Sequence, residues 1–178
     1  MKFEFKERES REFYDEILFV AAHYRKIIIN KNKKVTKLST YMIKNLIISL
    51  IFTIILTLYY LKTKSKFEFF MIGVLIALIA YCVYYLFYIR KRINEFVNYK
   101  GKDTITIDNK KIEFKDENNS FKVEWDNIAF ILVNKYSICF IPKTRQNAMI
   151  TLNRENKDKL VSILKKYRKE DLLVCHEK

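Results

Sequence analysis

Two stretches of the chain carry no charge at all. Residues 45–61 and 69–89 are apolar runs separated by seven residues. As helices rising about 1.5 Å per residue they predict spans of roughly 26 and 32 Å, against a hydrocarbon core of about 30 Å. The second spans comfortably; the first does so with Lys44 and Lys62 snorkelling from its ends. The connector, residues 62–68, allows only an immediate return, so the pattern predicts a transmembrane hairpin. A soluble helix keeps a polar stripe toward water, and neither run has a charged one.

On either side of the hairpin the pattern changes. Residues 2–6 alternate polar and apolar, the period of a half-buried strand. A lone strand needs partners, and these must come from beyond the hairpin, so whether residues 2–6 join a C-terminal sheet is left open. From Ser10, an N-cap, Phe13, Ile17, Val20, Tyr24 and Ile28 recur at helical spacing, ending before the basic linker 30–34. Leu18 and Phe19 lie off that stripe, which predicts a helix covered on more than one side.

After the basic stop at 90–92 a helical continuation runs to Phe96 or Val97, and Gly101 breaks it. Residues 104–108 and 111–115 alternate around Asn109-Lys110, which predicts a β-hairpin with Ile105, Ile107, Ile112 and Phe114 inward. Residues 116–120 are a second turn. Phe121, Val123 and Trp125 then share a face, Asp126-Asn127 bends the chain, and 128–133 reads as a buried strand. A turn at 134–135 leads into 136–141, which Pro142 ends because proline cannot donate to the ladder. Residues 148–152 add one further strand. Asn153 caps a last helix whose stripe is Leu160, Val161, Leu164 and Tyr167. The expected fold is therefore an α+β membrane protein. Its parts are an N-terminal strand and amphipathic helix (1–34), transmembrane helices at 45–61 and 69–89, and a small antiparallel-sheet, pleckstrin-homology-like domain closed by a C-terminal helix (98–170).

Charge fixes the expected orientation. The net charge of +14 could signal nucleic acid, but its placement speaks for lipid topology instead. Arg25, Lys26, Lys31, Lys33, Lys34, Lys37 and Lys44 precede the hairpin, and Arg90, Lys91, Arg92, Lys100 and Lys102 follow it, against Lys62, Lys64 and Lys66 in the connector. That asymmetry predicts both termini in the cytoplasm and the connector outside. Cys139 and Cys175 then face a reducing compartment as free thiols, with Cys82 in the bilayer. The charged N-terminus has no secretory h-region.

Within the hairpin, Ser49, Thr53 and Thr57 recur every four residues, and Gly73, Ala77 and Ala80 form a small-residue ridge. Antiparallel pairing matches them in depth, which predicts close helix–helix packing through these faces; the alternative is that the hydroxyls bond back to their own helix carbonyls. Tyr59, Tyr60, Phe67, Phe69 and Phe70 mark the outer interface, and Tyr41, Tyr84, Tyr85 and Tyr88 the inner one. No ionisable residue lies deep in either run, so the hairpin reads as an anchor and not an ion pathway.

With two spans followed by the motif of residues 125–128, Trp-Asp-Asn-Ile, and Ile-Pro-Lys at 141–143, the chain resembles the YcxB-like family of small bacterial membrane proteins. The likeness covers nearly the whole layout. It departs where Thr144 follows the lysine and where no aromatic follows Arg145. The resemblance implies topology and fold, and no enzymatic activity or catalytic residue.

Catalytic, cofactor and metal chemistry find little support in the residues. His23 and His176 are the only histidines, short of a zinc ligand set. Gly73 and Gly101 are the only glycines, which excludes phosphate-binding glycine loops. Contacts with lipid or a partner are assigned to Lys31, Lys33, Lys34, Lys37, Arg90, Lys91 and Arg92 beside the hairpin, and to Lys143, Arg145 and Arg154 after Pro142. The function expected is a non-enzymatic membrane anchor for a cytoplasmic interaction or regulatory domain, in envelope stress or self-protection. Its partners are the lipid bilayer and an unknown protein, with no nucleic acid and a homo-oligomer left open. The rivals are an anionic-lipid-binding module tethered by the hairpin, and a thiol-dependent enzyme using Cys139 or Cys175.

Overall fold

Where alternation is strict the chain forms strands, and where apolar residues recur at three and four it forms helices; the result is an α+β protein. The computed structural model describes residues 2–4, 10–98, 104–115, 120–145 and 148–175. Gly101, the turn at 116–119 and His176 lie outside the described residues. In chain order the elements begin β1 (Lys2–Glu4), α1 (Arg11–Ala22), α2 (Tyr24–Ile29), α3 (Leu38–Thr63) and α4 (Lys66–Asn98). They continue β2 (Thr104–Ile107), β3 (Lys111–Lys115), β4 (Ser120–Glu124), β5 (Ile128–Val133), β6 (Ser137–Pro142), β7 (Ile150–Asn153), α5 (Lys157–Tyr167) and β8 (Leu173–Cys175). Two compact units result: Met1–Val35 with Glu95–Lys178, and Thr36–Asn94.

The first unit holds two four-stranded sheets, β1-β2-β3-β4 and β7-β6-β5-β8. Residues 2–4 do join the C-terminal region, pairing Lys2 with Thr106, Phe3 with Ile105 and Glu4 with Thr104; residues 5 and 6 lie outside the described ones. The tight turn after β2 forms because Asp108 accepts from the amides of Lys110 and Lys111, both at 2.8 Å. Both sheets are antiparallel except that β8 runs parallel to β5. That strand was not foreseen from the sequence, because three residues pair only through a distant partner.

Alternation sorts the second sheet onto two cores. Ile128, Ile131, Val133, Ile138 and Phe140 share one with Ile105, Ile107, Ile112, Val123 and Trp125 of the first sheet and with Leu160, Ile163 and Leu164 of α5. Phe130, Leu132, Cys139 and Ile141 point the other way and pack with Val20 and Ile27. β5 and β6 are therefore buried on both faces, α1 and α2 supplying the outer cover. In α5 Leu160 and Leu164 are buried as expected, with Ile163 beside them and Val161 only half-buried. Asn153 caps a short 3-10 turn, accepting from the Glu155 amide at 3.1 Å, before α5 proper begins.

Ser10 caps α1 as expected, its hydroxyl accepting from the Phe13 amide at 3.1 Å. The single helix predicted to run to Asn30 is instead interrupted at His23, which leaves helical geometry at φ −107°, ψ 17°. Its ring stacks on Phe19 with centroids 4.2 Å apart, and its Nδ1 lies 3.0 Å from the Phe19 carbonyl oxygen. The small rotation at this break places Ile27, fully buried, where the spacing had put Ile28.

The second unit consists of α3 and most of α4. Both helices extend past the apolar runs, and only Lys64 and Ser65 separate them. Lys64 turns the chain in the left-handed region (φ 55°), donating its amide to Tyr60 O at 2.8 Å, and the Ser65 hydroxyl accepts from the Phe67 amide at 3.2 Å. On α4 the sheltered positions Ile72, Leu75, Ile79, Cys82, Leu86 and Ile89 recur at alternating intervals of three and four. This is the spacing of a left-handed helix–helix seam.

That seam corrects the predicted packing face. Gly73, Ala77 and Ala80 are exposed, and a Cβ added at Gly73 would meet nothing within 4 Å. The sheltered side of α4 is its bulky one, so Gly73, Ala77 and Ala80 fall outside it. Ser49, Thr53 and Thr57 are half-buried, but the hydroxyls of Thr53 and Thr57 donate to the carbonyls of Ser49 and Thr53 at 2.8 and 2.7 Å. The threonine hydroxyls thus bond back within α3, on the side of that helix that is sheltered.

Because α1 and α2 close one of the two cores, removing residues 1–35 should abolish the cooperative unfolding transition of the first unit, followed by fluorescence of the single tryptophan, Trp125, in detergent. Ile27→Ala should keep that transition and lower its stability by about 2–5 kcal/mol. An unchanged midpoint in either variant contradicts this packing.

Candidate functional site

The cationic residues singled out in the sequence divide between the two units. Lys31 and Lys34 are exposed and Lys33 half-buried in the first, and the Lys31 ammonium sits 5.5 Å from the Phe130 ring centroid. In the second, Arg90, Lys91 and Arg92 are exposed and Lys37 half-buried; the Arg92 Nε donates to the Tyr88 hydroxyl at 3.0 Å. Lys143 and Arg145 are exposed after β6. Arg154 does not join them: its guanidinium donates to the Asn134 carbonyl at 3.0 Å and braces the β5–β6 turn.

The two motif segments that are distant in sequence meet in space. The Trp125–Asn127 turn lies beside the end of β6, where the Lys143 amide donates to Asn127 O at 2.8 Å and Ile128 pairs with Pro142. Trp125 is buried, and its indole N–H donates to the Asp108 carbonyl at 2.9 Å. Over this turn open two adjoining clefts of about 300 and 490 Å³ that share Trp125, Asp126 and Lys169. The smaller is walled by Lys143, Arg168, Lys169, Asp126 and Asp171. Among the described residues none of these five side chains has an ionic or hydrogen-bonding partner within the protein. Flexible charges of both signs around an open cleft can hold a partner surface of mixed charge. They offer no nucleophile.

A buried polar cluster was missed in the sequence. Glu16, 3% exposed, reaches from α1 into the β5–β6 turn. Its Oε2 accepts the Ser137 hydroxyl at 2.6 Å and the Tyr136 amide at 3.1 Å. Asn134 Nδ2 donates to the Ser137 Oγ at 3.2 Å, and Cys139 Sγ lies 3.6 Å from that oxygen. Burial raises the Glu16 carboxyl above its ordinary value, and the Ser137 hydroxyl and the amides of Lys135, Tyr136 and Ser137 pull it back down. The signal was legible: Glu16 stands between Phe13 and Val20 on the apolar stripe, where a surface carboxylate does not belong.

This cluster joins an N-terminal helix to a C-terminal hairpin and has no opening for a substrate. Ser137 and Cys139 are fully buried, and burial pushes the Cys139 thiol up to about 12. At neutral pH it holds no thiolate to attack with. Cys175 is exposed at the end of β8. Among the described residues no three His, Cys, Asp or Glu side chains group as metal ligands would. Comparison with family models, curated proteins and solved structures finds no match to the chain.

Two expectations follow. Glu16→Ala strands the Ser137 hydroxyl and the turn amides, and should cost about 1–3 kcal/mol in urea unfolding. The raised carboxyl binds its proton more tightly folded than unfolded, so its contribution is full below its ordinary value of 4.5 and falls as pH rises through the raised value. Glu16→Gln should flatten this dependence; a slope unchanged by that substitution contradicts the assignment. Separately, a maleimide should label Cys175 in the native protein and Cys139 only after unfolding, with rapid native labelling of Cys139 the contrary result.

Proposed function

We propose that this chain is a non-enzymatic integral membrane protein whose α3–α4 hairpin anchors a cytoplasmic interaction domain. One observation carries the reading: the apolar windows of α3 and α4, of mean hydropathy 2.0 and 2.4, are each only 6% buried. A soluble protein would cover such helices, since each large apolar side chain left in water forgoes about 1.5–3 kcal/mol. A bilayer covers them without further protein. The cations flanking both helices outnumber those at the 62–66 turn, which supports termini in the cytoplasm and the turn outside.

Two sheets sharing a core with α5 support the pleckstrin-homology-like outline, to which α1, α2 and the parallel strand β8 are additions. The meeting of the Trp125–Asn127 turn with Lys143 supports the YcxB-like resemblance, because it gives two separated motifs one structural reason to occur together. The domain's work is recognition, with the mixed-charge cleft as contact surface. Envelope stress or self-protection is the setting that this architecture suggests by analogy.

The test is extraction and sidedness. Alkaline carbonate should leave the full chain with the membrane pellet. On intact cells an impermeant maleimide should label Lys64→Cys but not the native Cys175. Release by carbonate, or labelling of Cys175 from outside, overturns the reading.

A further inference from the structure

A second stripe runs from the end of α1 along α2, opposite the face that packs on the sheet. Ala22, Arg25, Lys26 and Ile29 stand at i, i+3, i+4 and i+7 and are all exposed, while Tyr24, Ile27 and Ile28 face the sheet core. Ile29 is 85% exposed, more than any other large apolar side chain among the described residues, including those of α3 and α4. Cations surround it in sequence, with Arg25, Lys26 and Lys34 exposed, and residues 21–34 contain no Asp or Glu. A bare isoleucine ringed by lysine and arginine is costly in water and has the composition of an interfacial membrane contact.

Connectivity names the occupant. From Ile29 to the start of α3 at Leu38 is nine residues, a reach of at most about 30 Å. On the membrane reading above, on which this inference rests, the stripe is therefore tethered beside the inner leaflet, whose anionic lipids attract basic segments. We infer that the outer face of α2 docks on the anionic bilayer surface, with Ile29 inserted among the headgroups and Arg25, Lys26 and Lys34 on the lipid phosphates. Docking would fix the orientation of the whole cytoplasmic domain, because Ile27 on the same helix is locked into its core.

The experiment uses the full chain in vesicles, in a Cys175→Ser background, with an environment-sensitive fluorophore at one introduced cysteine. Ile29→Cys should report an apolar environment in vesicles containing phosphatidylglycerol, and a watery one in pure phosphatidylcholine or at high salt. Adding Arg25→Ala and Lys26→Ala should cut the docked-to-undocked ratio roughly thirtyfold. Ser162→Cys, exposed on α5, should remain watery throughout. A watery signal at Ile29→Cys in anionic vesicles overturns the inference, as does an equal apolar signal in neutral lipid or one that grows with protein density, which would indicate a second copy. Ile54→Cys separates this from failure of the anchor itself: that site is 60% exposed on α3 and must report hydrocarbon if the hairpin spans.

Discussion

Apolar surface that the chain does not cover for itself governs everything else about this protein. Helices α3 and α4 turn Ile54, Ile55, Leu58, Phe69, Phe70, Ile76 and their neighbours outward, and nothing in the Thr36–Asn94 unit shields them. Within that unit the sheltered positions of α4 keep an alternating three-and-four spacing, and the threonine hydroxyls of α3 are satisfied by their own backbone. Such a pair carries no charge in its two apolar runs. It suits an anchor, and on the reading proposed it places every candidate contact on one side of a bilayer.

The other unit solves a different problem, that of a domain interrupted by its own anchor. Its two ends are joined by β1 pairing with β2, by Val20 and Ile27 against Phe130, Leu132, Cys139 and Ile141, by the Tyr24 hydroxyl donating to the Pro142 carbonyl, and by Glu16 in the β5–β6 turn. The last is the most specific, because a buried carboxylate is tolerated only where donors converge on it. It also accounts for Cys139 and Ser137 without chemistry. Residues that would draw attention as a nucleophile and its neighbour are instead the lining of a structural joint, fully enclosed and with the thiol held protonated.

Much of this was legible in the residues. Alternation located β2, β3 and β4, where Ile105, Ile107, Ile112 and Val123 repeat at period two, and apolar runs between turns located β5 and β6. What escaped depended on contacts distant in sequence. Leu173–Cys175 becomes a strand only by lying parallel to β5, and Glu16, though out of place on the apolar stripe of α1, has no visible partner until Ser137 is placed beside it. The small-residue ridge misled for a related reason: the sizes of Gly73, Ala77 and Ala80 say that a close approach is permitted there, whereas the bulk of Leu75, Ile79 and Cys82 decides which face is sheltered. The cleft over Trp125 was half visible, as two short motifs whose adjacency only the fold reveals.

The most direct test of the anchor is whether the full chain needs a bilayer at all. Purified protein should remain monodisperse when detergent is exchanged for lipid nanodiscs, and should aggregate when detergent is withdrawn without lipid. A monodisperse, folded particle in plain buffer, with Trp125 still buried, would contradict the account.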